Sequence, residues 1–414
     1  MDNCVIPQGY KATALGIIPQ EWEVMRLGDI VSITSGESPS LYHLKAEGKY
    51  PYVKVEDLNN CEKYQESSRE YSDDNNTTIK AGSIIFPKRG ASILNNKVRI
   101  AAKDIQMDSN MMAITPHTAI VDTEFLYIRI LHERLYRIAD TSSIPQINNK
   151  HIIPYKIAVP PLAEQRKIAE VLGVWDEAIE KQARLIEKLA LRKRALMQRL
   201  LSAKLRLPGF SEPWQKVKLG DIGDTYNGLS GKNKDDFEYG NAQFIPYINV
   251  FSNERIDTNN LGCVQIKPNE QQNTVKYGDI FFTVSSETPD DVGMASVLLE
   301  HLDNTYLNSF CFGYRLNNFS TLNPFFAAYL FRTEHFRNYM SVLAQGSTRF
   351  NISKKEVMKL KIDLPTIEEQ TAIAEVLTAA DREIELAKEK LERLRRQKRG
   401  LMQQLLTGKK RIKY

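Results

Sequence analysis

Apolar side chains recur at alternating steps of three and four residues along two stretches of the chain, and this spacing predicts two long amphipathic helices. At about 1.5 Å per residue, some 40 residues would make each helix ~60 Å long. Neither helix can bury its own apolar stripe, so we expect the two to pack as an antiparallel intramolecular coiled coil. The alternative is that each pairs with another protein or with a second copy. The predicted stripes are Leu172, Trp175, Ile179, Ile186, Leu189, Leu196 and Leu200, then Leu377, Ala380, Ile384, Leu391, Leu394, Leu401 and Leu405.

Shorter patterns occupy the rest of the chain. Residues 30–36, 82–87 and 157–161 combine β-branched residues with flanking turn residues, which is typical of short strands. Residues 125–139 and 325–340 have the periodicity of amphipathic helices. This mixture predicts an α+β protein with two similar mixed α/β domains, each of about 160 residues and large enough to bury its own core.

The two long helices end in nearly the same sequence, and this reveals an internal repeat. "KRALMQRLL" and "KRGLMQQLL" are 205 residues apart, as are "PLAEQRKIAEVL" and "TIEEQTAIAEVL". The opening segments "EWEVMRLGDI" and "PWQKVKLGDI" match at an offset of 192, and "AGSIIFPKRG" resembles "YGDIFFTVSS" at an offset of 196. The chain is therefore predicted to be a pseudo-two-fold tandem repeat with divergent middles. Its predicted parts are the domains 1–160 and 208–365 and the helical regions 161–207 and 366–414.

Composition narrows the class of protein. With 42% hydrophobic and 26% charged residues, the 414-residue chain has the balance of a globular protein. It has no apolar run near the ~18 residues of a membrane span and no signal-like segment, so we expect a cytoplasmic protein. Its four cysteines are widely spaced, which suits a reducing compartment and predicts neither disulfides nor a zinc site.

The positive charge is concentrated at the helix ends. Lys188 to Arg206 contains seven basic residues and no acidic one, and Arg393 to Lys413 contains nine and none. Such segments indicate a polyanionic partner or a junction over an acidic surface. The alternative is a solvated helix end, where cations are favoured.

No pattern indicates a catalytic centre or a metal site. "NPFF" at 323–326 partly matches a loop that holds flipped bases in adenine methyltransferases, but Asn323 as N-cap with Pro324 in the first turn is the better interpretation. "GLSGKNK" at 228–234 lacks the first glycine and the hydroxyl residue of a phosphate-binding loop. The six histidines show no ligand spacing.

The duplicated segments "RLGDI" and "KLGDI", "AEQRKIAEVL" and "EEQTAIAEVL", and "KRALMQRLL" and "KRGLMQQLL" resemble the specificity subunit of type I restriction-modification systems, over essentially the whole chain. The resemblance implies a non-catalytic protein in which each middle is a target recognition domain that reads one half of a split DNA sequence. It implies that the helices space these domains and dock two modification (methyltransferase) subunits, which restriction subunits join. S-adenosylmethionine would then bind to the modification subunits, and ATP and Mg to the restriction subunits, with no cofactor in this chain.

Two other functions remain open at this point. The chain could be a coiled-coil adaptor whose middles bind proteins. It could also be a self-contained DNA adenine methyltransferase with an unrecognised centre. Binding of labelled S-adenosylmethionine to the chain alone would favour the methyltransferase. Middles whose mutation has no effect on DNA binding would favour the adaptor.

Candidate DNA-binding residues lie in two parts of each half. Basic residues suit guanine or phosphate, and asparagine suits adenine. In the turn-rich loop of the first middle the candidates are Lys88, Arg89, Asn95, Asn96, Lys97 and Arg99, with an ordinary charged hairpin as the alternative. The equivalent loop of the second middle carries three acids and no base, so its candidates are Ser285, Ser286 and Thr288, together with Lys232 and Lys234. The segments before the long helices add Ser142, Ser143 and Gln146, then Ser347, Thr348, Arg349 and Asn351, with helix capping as the alternative.

Overall fold

A computed structural model describes residues 6–140, 144–237 and 239–412. The chain divides into two compact units. Unit 1 extends to Ala183 and takes in the chain from Glu389 onward, whereas unit 2 is the continuous stretch Arg184–Lys388. Each long helix therefore contributes one part to unit 1 and the other part to unit 2. Among the described residues, no helix is long and apolar enough to cross a membrane.

The strands are short and lie outside the long helices. Unit 1 contains β1 (Tyr10–Thr13), β2 (Gly16–Pro19), β3 (Glu23–Arg26), β4 (Val31–Ser35), β5 (Tyr50–Val53), β6 (Tyr64–Gln65), β7 (Tyr71–Ser72), β8 (Ile84–Pro87), β9 (Arg99–Ala101), β10 (Gln106–Met107), β11 (Met111–Pro116) and β12 (Lys156–Val159). Unit 2 contains β13 (Gln215–Lys218), β14 (Gly223–Asn227), β15 (Ala242–Ile245), β16 (Gly262–Val264), β17 (Ile280–Thr283), β18 (Ser285–Ser286), β19 (Ala295–Val297), β20 (Thr305–Leu307), β21 (Cys311–Leu316), β22 (Phe350–Asn351) and β23 (Lys361–Leu364). The three strands predicted from the sequence are confirmed as β4, β8 and β12.

The helices have the following bounds: α1 (Leu27–Ile30), α2 (Thr123–Glu133), α3 (Asn149–Ile152), α4 (Leu162–Leu200), α5 (Leu219–Ile222), α6 (Tyr247–Ser252), α7 (Pro324–Leu330), α8 (Glu334–Leu343), α9 (Lys354–Val357) and α10 (Ile367–Leu406). The long helices α4 and α10 are those predicted from the apolar stripes. The "LGDI" segments form the short helices α1 and α5, which follow β3 and β13.

Both units contain a mainly antiparallel sheet with equivalent central strands. In unit 1 the strand order is β4-β11-β8-β9-β6, and in unit 2 it is β14-β21-β17-β19. The central strand β21 places Gly313 opposite Tyr226 of β14. A Cβ atom on Gly313 would lie 2.1 Å from the Tyr226 ring, so only glycine allows this ring to cross the strand. A second sheet accompanies each, with the order β10-β5-β7 in unit 1 and β16-β15-β20 in unit 2.

The main core of each unit joins the domain to both long helices. In unit 1, Trp22 and Phe125 pack in one cluster with Leu172 of α4 and Leu405 of α10. In unit 2, the cluster around Phe326 includes both Leu200 of α4 and Leu377 of α10. Burial of this many large apolar side chains is the main stabilising contribution to each unit. Each domain thus shares one core with the parts of α4 and α10 inside its own unit.

Contacts inside the units show that α4 and α10 run antiparallel, as predicted. In unit 1, Asp176, in the first half of α4, forms an ion pair with Lys398 near the end of α10. In unit 2, Lys193, near the end of α4, lies 2.7 Å from Asp381 in the first half of α10. These two ion pairs are copies of each other, because both partners are shifted by 205 residues. Every residue of the predicted stripes is buried or half-buried.

Three helix predictions differ from the structure, and each difference coincides with a local change in backbone conformation. The helix predicted over 125–139 ends at Glu133, because Arg134 adopts a left-handed conformation (φ 58°) and Leu135–Ile138 form a 3₁₀ turn. The helix predicted over 325–340 is divided into α7 and α8, since the Thr333 side chain accepts a hydrogen bond from the Phe336 N–H and starts a new helix. Helix α4 ends at Leu200, before the end of the predicted helical region 161–207, and is followed by turns that include Ala203 (φ 57°).

Candidate nucleic-acid interface

In unit 1, the loop after β8 meets the segment that precedes α3, and we call this meeting point junction 1 (residues 88–90, 140 and 144–147). The Ile147 N–H donates to the Lys88 carbonyl at 2.8 Å, and the Gly90 N–H donates to the Pro145 carbonyl at 2.9 Å. Arg89 and Gln146 face each other as a β-bridge between these bonds, and Gln146 also pairs with Asp140. Junction 1 therefore unites the two parts of the first half in which DNA-binding residues were predicted.

Unit 2 contains the same arrangement, junction 2 (residues 284–286, 345 and 349–352). The Ile352 N–H donates to the Val284 carbonyl at 3.0 Å, and β18 pairs with β22 so that Ser285 lies opposite Asn351. Asn351 also pairs with Gln345. The anchor of this segment is Ile352, which is 5% exposed, and its counterpart Ile147 is 1% exposed.

The two junctions are built from equivalent positions of the repeat. The offset of 196 relates Arg89 to Ser285, and the offset of 205 relates Gln146 to Asn351. The two pairs that face each other are thus the same pair twice, with different side chains. Equivalent backbone positions that carry different polar side chains are what two readers of different sequences require.

Each junction carries an arginine, but on opposite arms. In junction 1 the arginine is Arg89, on the arm that continues β8, and the apolar Ile144 is 57% exposed on the other arm. In junction 2 the position of Arg89 is taken by the buried Ser285, whereas the position of Ile144 is taken by the exposed Arg349. The loop at 283–293 carries no basic residue, and the cation of junction 2 lies on the other arm, at Arg349, which was predicted from the sequence to bind DNA.

Several predicted residues use their polar groups inside the protein. Arg99 donates to the carbonyls of Cys61, Val98 and Leu58, each at 2.8 Å, and so holds the neighbouring loop. Lys232 has a 4% exposed side chain whose Nζ lies 2.6 Å from Glu270 Oε2.

Other predicted residues each donate a single side-chain hydrogen bond within the protein. Asn96 is a left-handed turn residue (φ 48°) that donates to the Leu131 carbonyl, and Lys97 donates to Asn59 at 2.5 Å. The Thr288 hydroxyl donates to Asp291 at 2.6 Å. Ser142 and Ser143 lie outside the described residues. The predicted residues with exposed side chains are Arg89, Asn95, Lys234, Thr288, Ser347, Thr348, Arg349 and Asn351, and those with half-buried side chains include Lys88, Gln146 and Ser286.

The Lys88 ammonium group is the most desolvated cation of junction 1. Burial lowers its pKa, the adjacent Arg89 lowers it further, and Asp108 opposes the shift. Two cations side by side repel each other, and an anion between them would relieve this repulsion. The electrostatics of junction 1 therefore favour an anionic or electronegative ligand, such as a phosphate or the acceptor edge of guanine.

Sequence reasoning missed a cluster of lysines in unit 2. A cavity of about 290 Å³ is lined by Lys218, Gly220, Thr225, Lys354, Lys355, Met358 and Lys359. Lysine-rich "SKKEVMK" at 353–359 was a visible signal, but Lys218 is distant in sequence and joins the others only in the fold. The cavity lies next to junction 2, because Lys354 follows the junction residue Ile352 by two positions.

A repeated Glu-Gln pair fixes each domain on its long helices. Gln165 accepts from the Asp122 N–H and donates to the Ile120 and Pro160 carbonyls. Its counterpart Gln370 accepts from the Asn323 N–H and donates to the Thr321 and Pro365 carbonyls. The preceding glutamates, Glu164 and Glu369, are buried and bind Arg411 and Arg206, respectively.

Asn323 is the N-cap of α7, as preferred from the sequence. Its Oδ1 accepts hydrogen bonds from the Phe325 N–H at 2.8 Å and the Phe326 N–H at 3.4 Å. Pro324 is the first residue of the helix. Among the residues that the structure describes, no group of three or more His, Cys, Asp or Glu side chains is arranged to hold a metal ion.

Comparison with known proteins gives consistent matches along the chain. The protein-family model described as "Type I restriction modification DNA specificity domain" matches residues 19–190 and again residues 211–396. The MjaVIII specificity subunit, from a type I restriction enzyme of Methanocaldococcus jannaschii, is 26% identical over 424 residues, which cover 96% of this chain and 94% of that subunit.

Solved structures show the same fold. A chain solved in work on complex assembly and conformational transition of the type I R-M system aligns with a TM-score of 0.65 and 20% identity, covering 94% of this chain and 99% of that chain. The HsdS subunit of Thermoanaerobacter tengcongensis aligns with a TM-score of 0.52 and 20% identity, covering 94% and 98% of the respective chains. The tandem α+β architecture predicted from the sequence is confirmed by these matches.

Proposed function

The chain belongs to the type I restriction-modification DNA specificity family, whose domain it carries twice, and we propose that junctions 1 and 2 each read one half of a bipartite site in double-stranded DNA. The observation that carries this proposal is the equivalence of the two junctions. Arg89 and Gln146 occupy the positions that Ser285 and Asn351 occupy in unit 2. One backbone frame with two sets of polar side chains is suited to two different half-sites.

Arg89 and Arg349 are the proposed base-reading residues. Both are exposed, and an arginine guanidinium can donate two parallel hydrogen bonds to O6 and N7 of guanine. Lys88, Asn95, Gln146, Lys234, Ser347, Thr348 and Asn351 are proposed to contribute phosphate or further base contacts. Arg99 and Lys232 are proposed to act indirectly, by holding the backbone of the loops that carry these residues.

The paired helices are proposed to fix the number of unread base pairs between the half-sites and to dock two modification subunits. Both tasks require two equivalent surfaces, one for each half-site and modification subunit. The helix ends, whose sequences repeat at a distance of 205 residues, are consistent with this requirement. The helices also expose apolar side chains that their pairing leaves free for a partner, namely Val174, Leu185, Leu191 and Leu386. Restriction subunits would join the same complex.

Chemistry is proposed to reside entirely in the partners. S-adenosylmethionine would bind to the modification subunits, and ATP and Mg to the restriction subunits. The chain itself would act in the cytoplasm as a non-catalytic reader and assembly platform. The polar groups of its junctions are spread along two loop arms, an arrangement that supports contacts along a duplex.

The test is co-expression of this chain with the modification subunit of its own system, followed by sequencing of host DNA for methylated adenine. The expected result is one split motif, two short defined halves around a fixed gap. Assembly of the complex without such a motif would overturn the reading role and favour an adaptor. Methylation by the chain in the absence of the modification subunit would overturn the assignment as non-catalytic.

A matched pair of variants assigns each junction to its half-site. Arg89→Ala should relax the sequence requirement at one base pair of one half-site, and Arg349→Ala at one base pair of the other. Loss of a good bidentate contact costs about 1–3 kcal/mol of discrimination, roughly 5- to 150-fold. Each variant is the control for the other, and relaxation of the same half-site by both would contradict the assignment.

A further inference from the structure

The lysine cavity beside junction 2 concentrates positive charge from separate parts of unit 2. Lys218 ends β13, Lys354 and Lys355 begin α9, and Lys359 follows that helix. Lys359 is partly neutralised by Glu356 at 2.7 Å. Among the described residues, Lys218, Lys354 and Lys355 have no carboxylate partner within ion-pair distance. The Lys354 ammonium group donates to the neutral amide oxygen of Asn227 and lies 5.9 Å from the centre of the Phe312 ring.

The cavity gathers four ammonium groups, and among the described residues only Lys359 has a carboxylate partner. Burial lowers the pKa of Lys354, which shows that its ammonium group has already lost part of its hydration. A phosphate oxygen would replace that lost hydration with a charge-assisted hydrogen bond. Lysine ammonium groups bind phosphate as mobile point charges, without the fixed geometry of an arginine. The cavity therefore suits a phosphodiester rather than a base edge.

The position of the cavity relates it to the reading surface. Its residues Lys354 and Lys355 continue directly from β22, the strand that pairs with β18 in junction 2. Asn227, the contact of Lys354, is the last residue of β14. A duplex whose base edges meet junction 2 would therefore pass with its backbone beside this cavity.

Unit 1 does not repeat this charge. The offsets of 192 and 205 relate Lys218 to Arg26, Lys354 to Asn149, Lys355 to Lys150 and Lys359 to Pro154. Four cations in unit 2 thus correspond to two in unit 1. The two additional cations of unit 2 compensate for the lack of positive charge in the loop region of the second middle, which has no lysine or arginine between Lys276 and Arg315.

We propose that Lys218, Lys354, Lys355 and Lys359 form a sequence-independent clamp for a DNA backbone phosphate beside junction 2. The clamp rests on the proposed function, since it presupposes that unit 2 binds DNA. It gives the second half-site a larger electrostatic contribution to binding, while specificity comes from the junction itself.

The experiment measures DNA binding by the complex of this chain with its modification subunits. The probes are fluorescent duplexes that carry the methylated motif, or the same motif with its second half scrambled, at salt concentrations from about 50 to 300 mM. The variant is Lys354→Gln with Lys355→Gln, and the charge-matched control is Lys267→Gln with Lys276→Gln, two exposed lysines of unit 2 outside the cavity.

The expected result has two parts. The slope of log affinity against log salt should fall in magnitude by about 0.9 for each phosphate that the variant no longer neutralises. Affinity for the motif and for the scrambled duplex should fall by the same factor, so their ratio stays constant. The control should keep both the slope and the ratio. Equal melting temperatures of all complexes exclude loss of folding, and if the double variant is unstable, Lys355→Gln alone is used.

Three outcomes would overturn the clamp. The first is an unchanged salt slope in the variant. The second is a fall in the ratio between motif and scrambled duplex, which would make the lysines base readers. The third combines two observations: inorganic phosphate at constant ionic strength weakens DNA binding by the wild type but not by the variant, and both complexes have the same salt slope. This outcome would assign the cavity to free phosphate. A wild-type complex without preference for its motif would instead refute the proposed function.

Discussion

The buried arginine–glutamate pairs should make unequal contributions to the stability of the two units. In unit 2, Arg206 Nε and Nη2 donate to the two carboxylate oxygens of Glu369 at 2.6 and 2.7 Å. In unit 1, Arg411 donates in the same way to Glu164 at 2.7 and 2.9 Å. The arginines are partly exposed, but Glu369 is 1% and Glu164 0% exposed, so replacement of either arginine by alanine leaves a buried carboxylate without its cation.

The difference between the units comes from a tryptophan. Trp22 Nε1 donates to Glu164 at 3.0 Å, whereas the equivalent Trp214 Nε1 is buried without a hydrogen-bond partner among the described residues. Breaking a buried ion pair by removal of one partner costs about 3–5 kcal/mol, which we expect for Arg206→Ala. After Arg411→Ala, Glu164 keeps its indole donor, and a hydrogen bond to a charged group is worth about 1.5–3 kcal/mol. We therefore expect unit 1 to lose roughly 2 kcal/mol less than unit 2.

Native-state hydrogen exchange read by mass spectrometry measures each unit separately. The amides of β17 (Ile280–Thr283) report on unit 2, and those of β8 (Ile84–Pro87) report on unit 1. Arg382→Ala removes an exposed pair with Glu385 and serves as the control, with an expected change below about 0.5 kcal/mol. A smaller loss for Arg206→Ala than for Arg411→Ala would refute the reasoning, as would losses no larger than that of the control.

Three further results are expected. Lys232, with smaller contributions from other hydrogen bonds, lowers the pKa of Glu270 from 4.5 to about 2, so this pair stabilises the fold above pH 4.5 and its contribution is lost as the pH falls toward 2. In the Lys232→Met variant, the pKa of Glu270 measured by NMR should move toward 4.5, and an unchanged pKa would contradict the assignment. Arg99→Met should lower the free energy of unfolding measured in urea, because three carbonyls lose their hydrogen-bond donor, whereas Arg89→Met, at an exposed residue, should change it by less than about 0.5 kcal/mol. Equal effects of the two variants would argue against a structural role for Arg99. Leu172→Ala, at a fully buried site, should cost about 2–5 kcal/mol in thermal unfolding, and a loss below about 1 kcal/mol would mean that the helix stripe is not part of the core.

The sequence predicted the features that repeat over long distances. The apolar stripes specified both long helices because a helix turn places every third and fourth residue on one side, whatever the rest of the chain does. The offsets also predicted equivalent positions correctly, since Arg89–Gln146 and Ser285–Asn351 are the same pair in the two junctions.

The features that depend on tertiary contacts could not be predicted. Arg89 and Gln146 are far apart in sequence, and only the strand register brings them together. Arg99 was chosen for its charge, but the carbonyls that engage it lie in a loop about 40 residues away, a separation that no local pattern reveals. Helix breaks such as the one at Arg134 depend on a left-handed conformation that the residue type does not signal.

The division of the chain between the units has a consequence for its synthesis. Unit 2 is one continuous stretch, whereas the core of unit 1 includes Leu405 and Leu406 of α10, and the Tyr10 hydroxyl donates to the Gly408 carbonyl. A ribosome adds about 5–20 residues per second, so the residues up to Ala183 wait on the order of ten to forty seconds for the segment that completes their core. The half of the protein that is translated first is therefore the half that folds last, and chaperones that bind nascent chains would meet its exposed apolar face throughout that interval.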